Sequence, residues 1–347
     1  MNGYNVADAC LADDRDAIID LWCNAPTRHE MAEEKLRWYY LGNPDGLPQA
    51  FFLQAHGAPG AVGVASIAPR RMSLRSESVA AGVLMDFVVA PGHRGYFPAL
   101  FLQKEVLRRA KPTHPVLFGM PNTLSEAVFR RAGYRCVGQV LRLVRVLHSR
   151  EFLPDALPGW LRGILGAVID HAVRLATSWR GLGASPYAWE WRDTPGGDFD
   201  ALWQRVAPSK ALIGVRDRAF LAWRFAQNPR QAYRFFALVA KAERKLVAYA
   251  VCNVEPETRA MHVADFLVDP GAPRAAQWLW LYLLREAGRE GHRSLSVEFL
   301  GDPATRRELG TLGLVKREEH PLYAAFEDRP ELSSASNWYV TSADRDG

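Results

Sequence analysis

The chain has 347 residues, of which 48% are hydrophobic, 11% aromatic and 23% charged, a balance that supports a sizeable core and excludes a disordered polymer. Its formal net charge of +5 comes from basic residues scattered among acids. Without a block of five or six like charges, a phosphate-bearing small ligand suits the chain better than a nucleic-acid groove.

The length favours two domains over one. The four cysteines, Cys10, Cys23, Cys136 and Cys252, have no CxxC spacing, which argues against a zinc site and a disulfide framework and for a reducing cytoplasm. The nine histidines show no ligand spacing, so no metal is expected. "HEMAE" at His29 lacks the second histidine of a zinc hydrolase helix. The first residues carry acids where a secretory signal needs positive charge, and no uncharged apolar run approaches the roughly 18 to 20 residues that span a bilayer.

In chain order, a helix is predicted to begin near Asp13 and Asp14, residues suited to a helix N-terminus. "LRWYYLGNP" then leads through Asn-Pro, a turn signal. Strands are predicted at "AFFLQAH", "AVGVASIA" and "SVAAGVLMDFVVA", followed by a helix from Ala99 to Arg109. A strand at "HPVLFGM", a short helix and a closing strand at "QVLRLVRVL" complete the first half. The second half repeats this order with "YRFFALVAKA", "KLVAYAVCNVE", "RAMHVADFLVD", a helix from Ala275 to Glu290, "HRSLSVEFL" and "PLYAAFE".

The repetition extends to particular residues. "LRWYYLGNP" from Leu36 matches "LAWRFAQNP" from Leu221, "MDFVVAP" from Met85 matches "ADFLVDP" from Ala264, and "FRRAGY" from Phe129 matches "LGTLGL" from Leu309. Three anchors in one order define two copies of one module. The expected division is 1–148, a helical linker at 149–186, a second copy at 187–328 and a tail at 329–347. Each copy reads as α+β, a mostly antiparallel twisted sheet flanked by helices. The aromatic residues of the W-x-[YF] segments, Trp38, Tyr39, Tyr40, Trp223 and Phe225, recur at equal spacing, which favours a core role over a stacking platform.

The stretch "VVAPGHRGYFPA" turns a strand directly into a helix. Such a turn leaves backbone N–H groups unpaired at the positive end of a helix, and His93 and Arg94 add charge beside them. Together they suit a pyrophosphate, with Gly95 allowing close approach.

This stretch resembles the signature of the GNAT family of acyl-CoA N-acyltransferases, a strand ending V-x-P followed by x-x-R-G-x-G-x-[GA] at a helix start. Pro91, Arg94, Gly95 and Ala99 match it; Phe97 replaces the middle glycine and either crowds the diphosphate or points away. "MPNTLSEAVFRRAGYRCVG" is similar to the family's later strand-to-helix segment, with Asn122 in the asparagine place and Phe129, Gly133 and Tyr134 in its [YF]-x-x-x-G-[FY] box. Two tandem GNAT-like domains are therefore implied, with acetyl-CoA or another acyl-CoA as co-substrate and a small-molecule amine as acceptor. Val88, Val89, His93, Arg94, Gly95, Tyr96, Phe97, Pro98, Ala99, Asn122, Ser125 and Phe129 would line the donor site. The loop of the second copy, "DPGAPRAAQW", lacks the Arg-Gly step and implies a degenerate site.

The resemblance gives the oxyanion to the backbone N–H of Val89 or Val88 and the base to Asp86. A structural ion pair is the rival reading for Asp86, because Asp265 keeps the place in the copy without the phosphate loop. Asn122 equally suits a helix cap. Many family members carry a tyrosine proton donor where this chain has Phe129, so the general acid is left open. In the linker Trp160, Leu161, Ile164, Leu165, Val168, Ile169 and Val173 form an amphipathic pattern. With arginines around it, the stretch 158–180 fits either packing between the modules or peripheral contact with the inner membrane face.

Tandem modules with this tail look like acyltransferases of surface-polysaccharide synthesis, which implies an amino-sugar acceptor. Two alternatives remain: an aminoacyl-tRNA-dependent transferase of the tandem-GNAT type, disfavoured by the dispersed charge, and a non-catalytic CoA- or ligand-binding module.

Overall fold

The computed structural model describes residues 3–24, 31–149, 158, 160, 161, 164, 165, 168 and 184–346. Most of the linker between the copies lies outside the described residues. The predicted strands appear as β2 (Gln49–Ala55), β3 (Ala61–Leu74), β4 (Glu77–Val89), β5 (Val116–Gly119) and β6 (Arg135–Val146) in the first half. The second half carries β9 (Arg234–Ala240), β10 (Lys245–Glu255), β11 (Ala260–Val268), β12 (Ser294–Phe299) and β13 (Val315–Phe326). To these the structure adds β1 (Tyr4–Ala9), β7 (Tyr187–Arg192), β8 (Leu212–Gly214) and β14 (Trp338–Tyr339).

One continuous sheet runs β1-β2-β3-β4-β5-β13-β6-β12-β11-β10-β9-β7. The pairs β4/β5, β11/β12 and β8/β14 are parallel and the remaining pairs are antiparallel. At its centre the closing strands are exchanged. The strand ending the first half, β6, pairs with β12, and the strand ending the second half, β13, pairs with β5. The two exchanged strands also pair with each other, so each half completes the other's sheet.

The helices flank this sheet. They are α1 (Arg15–Cys23), α2 (Ala32–Lys35), α3 (Tyr96–Ala110) and α4 (Glu126–Ala132), then α5 (Gly197–Val206), α6 (Arg218–Leu221), α7 (Ala275–Arg289) and α8 (Pro303–Thr311). Asp14 is the N-cap residue of α1, and its carboxylate accepts the Cys10 N–H at 2.8 Å.

The recurring tryptophans explain themselves at the seam between the halves. Both W-x-[YF] segments wind as π-helical turns, Leu36–Leu41 and Ala222–Ala226. The Trp38 indole donates to the Trp223 carbonyl at 2.7 Å, and the Trp223 indole donates to the Trp38 carbonyl at 2.9 Å. A wider helical turn frees such carbonyls for a side-chain donor, and the reciprocal bonds satisfy both buried N–H groups. The Asn-Pro turns also repeat: Asn43 Oδ1 accepts from the Asp45 amide and Asn228 Oδ1 from the Arg230 amide, each at 2.9 Å.

Candidate acyl-CoA site

In the first half β4 and β5 pair only from Ala81↔Val116 to Val83↔Phe118, and then diverge. On its other edge β4 stays against β3, where the register steps from Val64↔Val88 to Ser66↔Met85 and leaves Asp86 and Phe87 opposite Ala65. This bulge holds Asp86 at φ +51°, a conformation that costs an L-residue about 1 to 2 kcal/mol.

The pleat decides where the strand's last donors point. The Ala90 amide bonds back to the Val62 carbonyl at 2.8 Å, so the alternating Val88 amide faces β3 as well. The Val89 amide faces the opposite edge, where β5 has left. Of the two amides considered for the oxyanion, Val89 therefore opens into the gap and Val88 belongs to the ladder.

The turn that follows uses several of its own donors. The amides of His93, Arg94 and Gly95 bond to the carbonyls of Ala90, Pro91 and His93, and Pro98 has none to give. The first bond of α3 runs from the Ala99 amide to the Gly95 carbonyl at 3.5 Å. Among the described residues this leaves the amides of Tyr96 and Phe97 for an anion at the helix N-terminus. Arg94 crosses the mouth of the gap, donating to the Val89 carbonyl at 3.1 Å and the Asn24 carbonyl at 3.2 Å. His93 Nδ1 pairs with the Tyr4 hydroxyl at 3.0 Å.

Phe97 does not plug the turn. Its ring stacks on Phe101 and leans on Tyr4, along the outside of α3 and β1. Tyr96 lies under the Arg131 guanidinium, 4.6 Å from its ring centroid, and so bridges from α3 to α4.

Asn122 lies one turn before α4, where its Oδ1 accepts the amide of Ser125, the N-cap residue of that helix, at 3.0 Å. In the second half Asp302, the N-cap residue of α8, accepts the Thr305 amide at 2.8 Å, so a side-chain acceptor for the amide three residues on recurs with the fold. Phe129 is buried between Phe87 and Tyr323, its ring 6.4 Å from each. The exchanged strand thus brings a phenol beside the residue that lacks one, and the Tyr323 hydroxyl donates to Glu126 at 3.0 Å. Nothing local in the sequence signals that neighbour, because it arrives on the other half's last strand.

Asp86 is enclosed. Lys35 Nζ lies 2.6 Å from Oδ1, the Tyr40 hydroxyl donates to Oδ2 at 2.7 Å, and the Lys35 and Asp86 side chains are each 1% exposed. Burial and the Asp86 charge hold the Tyr40 hydroxyl far above its ordinary pKa, so it stays a donor. Asp265 repeats the arrangement with different partners, Arg216 at 3.1 Å, the Tyr249 hydroxyl at 2.8 Å and the Thr341 hydroxyl at 2.7 Å.

The second half fills its own version of the site. β11 and β12 diverge beyond Val263↔Val297, and the tail enters there. Val340 pairs with Leu300, while the Tyr339 hydroxyl donates to the Phe266 carbonyl at 2.5 Å. Thr341 and Asp344 form a capping box, a T-x-x-D signal readable in "TSAD". At the turn before α7, the Asp269 carboxylate accepts the Gly271 amide at 2.9 Å and meets Arg205 at 2.6 Å. The chain supplies its own anion where the first half has two open amides.

Among the described residues no group of three or more His, Cys, Asp or Glu side chains is arranged for a metal, and no helix is long and apolar enough to cross a membrane. Trp160, Ile164, Leu165 and Val168 are exposed; the rest of the stretch 158–180 lies outside the described residues, apart from Pro158 and Leu161.

These features define the tandem GNAT fold, and solved structures agree. A GCN5-related N-acetyltransferase from Anabaena variabilis superposes with a TM-score of 0.66 at 13% identity, over 92% of this chain and 72% of that one. A tandem GNAT protein from the clavulanic acid biosynthesis pathway gives 0.55 at 14% identity, over 93% and 98%. The N-myristoyltransferase of Saccharomyces cerevisiae, solved with bound myristoyl-CoA, gives 0.57 at 12% identity, over 93% and 83%. No protein-family model and no curated protein sequence matches the chain.

Proposed function

We propose that the protein is an acyl-CoA-dependent N-acyltransferase that binds its donor in the first half, between β4 and β5. The observation that carries this reading is the Val89 amide opening into the gap left by β5, one turn before a helix start with unpaired amides. The Tyr96 and Phe97 amides and Arg94 suit the diphosphate, and the Asn122 side-chain amide suits the pantetheine arm. The Val89 amide is aimed where the thioester oxygen gathers charge as the amine attacks. The likeness of fold to acyltransferases supports this chemistry.

For the finer assignment we infer an acetyl or other short acyl donor and a small-molecule amine acceptor, with an amino sugar of surface-polysaccharide synthesis as first candidate. The exposed apolar stripe of Trp160, Ile164, Leu165 and Val168 supports a working position at the inner face of a membrane, for which co-sedimentation with anionic vesicles is the check. Isothermal titration of the full chain with acetyl-CoA tests the central claim. One equivalent of binding is expected, and no heat up to near-millimolar donor overturns it.

A further inference from the structure

We propose that a cavity in the second half, where the exchanged strand β6 meets β12, α8 and the tail, binds a small polyhydroxylated anion such as an acidic monosaccharide. The site is separate from the donor site proposed above, since β6 lies across β13 from β5.

The cavity measures about 210 Å³. That is well above the roughly 10 to 15 Å³ that one water needs and below the roughly 300 Å³ at which ligand pockets usually begin, so its occupant is small. Three separate stretches of chain build it. Gln139 comes from β6, Phe299 and Arg306 from the end of β12 and from α8, and Ser334 and Ser336 from the tail.

Close packing fixes these walls. A Cβ at Gly138 of β6 would lie 2.8 Å from Ala335 Cβ and 3.1 Å from Leu300 Cδ1, so the glycine lets strand and tail close on one another. A Cβ at Gly301 would overlap the Phe299 ring. The tail is pinned by the Asn337 side-chain amide, which donates to the Glu331 carbonyl at 2.7 Å, and by the Trp338 indole, which donates to the Leu332 carbonyl at 2.9 Å. The cavity is therefore formed before a ligand arrives, which keeps the entropic cost of binding low.

The polar groups decide the ligand. Arg306 is the one ionisable side chain lining the cavity. Its guanidinium is exposed, and among the described residues it has no hydrogen bond, ion pair or ring contact. Asp302, the acid between the lining residues Gly301 and Pro303, is turned to its own helix, where it accepts the Thr305 amide and hydroxyl, each at 2.8 Å. A guanidinium with five donors and no acceptor suits a carboxylate or a phosphate, which it meets side-on. The other polar side chains both donate and accept. Ser334 Oγ and Ser336 Oγ lie 2.8 Å apart and keep lone pairs for a further donor, and the Gln139 carboxamide offers both kinds of atom. Such groups suit hydroxyls rather than a second charge. Phe299 and Leu141 add an apolar wall, against which the carbon-bound hydrogens of a sugar ring pack. A ligand held there touches the first half through β6 and the second through α8, so binding stabilises the exchange of strands.

The test titrates the full chain by calorimetry with glucose 6-phosphate and with glucuronate, glucose serving as the uncharged probe. Saturable binding of one equivalent is expected for at least one acidic sugar, and the better of the two tells phosphate from carboxylate. Glucose should bind at least about tenfold more weakly. Arg306→Gln should weaken the acidic sugar about ten- to hundredfold, the range of one charge-assisted contact. Arg307→Gln removes the same charge from the neighbouring exposed residue outside the cavity, and Arg94→Gln removes the cation of the donor site. Both should bind the acidic sugar as the wild type does.

Wild-type affinity in Arg306→Gln overturns the proposal, as does the absence of saturable heat from both acidic sugars. An equal loss in Arg307→Gln shows diffuse surface charge, and a loss confined to Arg94→Gln places the anion at the donor turn; either sinks the assignment. Should Arg306→Gln fail to fold, Gln139→Trp, which fills the cavity from β6, is read in its place with the same loss expected. Acetyl-CoA affinity should be unchanged by Arg306→Gln, which keeps a failure of this site distinct from a failure of the donor site.

Discussion

Replacing Lys35 by methionine separates the two roles open to Asp86. The lysine and the carboxylate lie 2.6 Å apart with both side chains 1% exposed, so little solvent screening weakens their interaction. Removing the cation leaves a buried carboxylate held by the Tyr40 hydroxyl without its counter-charge, at a cost of about 3 to 5 kcal/mol. A chain of 347 residues has an unfolding entropy near 0.7 kcal/mol per degree, so a loss of this size lowers Tm by about 5 °C. Removing both charges in Lys35→Met with Asp86→Asn should restore most of that loss, because a buried pair replaced as a unit is close to neutral. Thermal unfolding by circular dichroism on the two single variants and the double variant gives the cycle. Additive losses in the double variant would refute the reasoning, since independent sites add and partners do not. Acyl transfer measured on the double variant completes the comparison: a structural pair predicts that activity returns with stability, whereas a catalytic Asp86 predicts that it does not.

Other outcomes follow from the same geometry. Arg94→Gln should weaken acetyl-CoA binding about ten- to hundredfold, the range of one charge-assisted phosphate contact, and unchanged titration heats would contradict the donor site. The tail is sensitive to acid through His262 and Glu298. Burial chiefly lowers His262 to about 4, and Glu298, held down by Arg345 and His262 against the effect of burial, also titrates low. In the unfolded chain both groups take up protons at higher pH, so acidification below pH 6.5 favours unfolding, by up to about 3 kcal/mol from His262 as the pH reaches 4. Thermal unfolding across that window should show the decline, and His262→Gln should flatten it; an equal slope in the variant counts against this assignment. A cavity of about 10 Å³ is lined by Arg70 and Asp344, whose Nε and Oδ1 atoms have no hydrogen-bond partner among the described residues. It has room for one water, and a high-resolution crystal structure should show density there.

Much of the fold was readable because the signals are local. The strands at "AFFLQAH" and "KLVAYAVCNVE" appear as β2 and β10, and Asp14 stands at the start of α1. The paired tryptophans, read as core from their recurrence, are joined by bonds that themselves repeat across the seam. The exchange of β6 and β13 was not readable, since an apolar strand looks the same whichever neighbour it takes, and only long-range closure decides the pairing. In the site, the pattern located the turn and the strand end but not which amides remain open, because that depends on how the turn folds on itself. The ion pair of Asp86 depends on a lysine 51 residues earlier in the chain, and no spacing rule links the two. The tail carried a legible capping box, but its place in the gap between β11 and β12 follows from that gap, which only the assembled sheet reveals.

The two halves show what a repeated fold retains and what it exchanges. Both keep a carboxylate at the strand bulge and, after the next strand, an acidic or amide side chain that accepts the backbone amide three residues on, although the partners of Asp86 and Asp265 come from different elements. A feature that survives in both halves, with partners replaced, is accounted for by the fold. The features that differ are the open amides at Tyr96 and Phe97 against the Asp269 carboxylate, and the gap beside Val89 against the inserted tail. Each difference removes from the second half a place that an extended, phosphate-bearing thioester would need. The tail closes that place through Tyr339, Val340 and Thr341, which meet Phe266, Leu300 and Asp265. On the proposed reading only the first half keeps both places open, which is why a single equivalent of donor per chain is the expected stoichiometry.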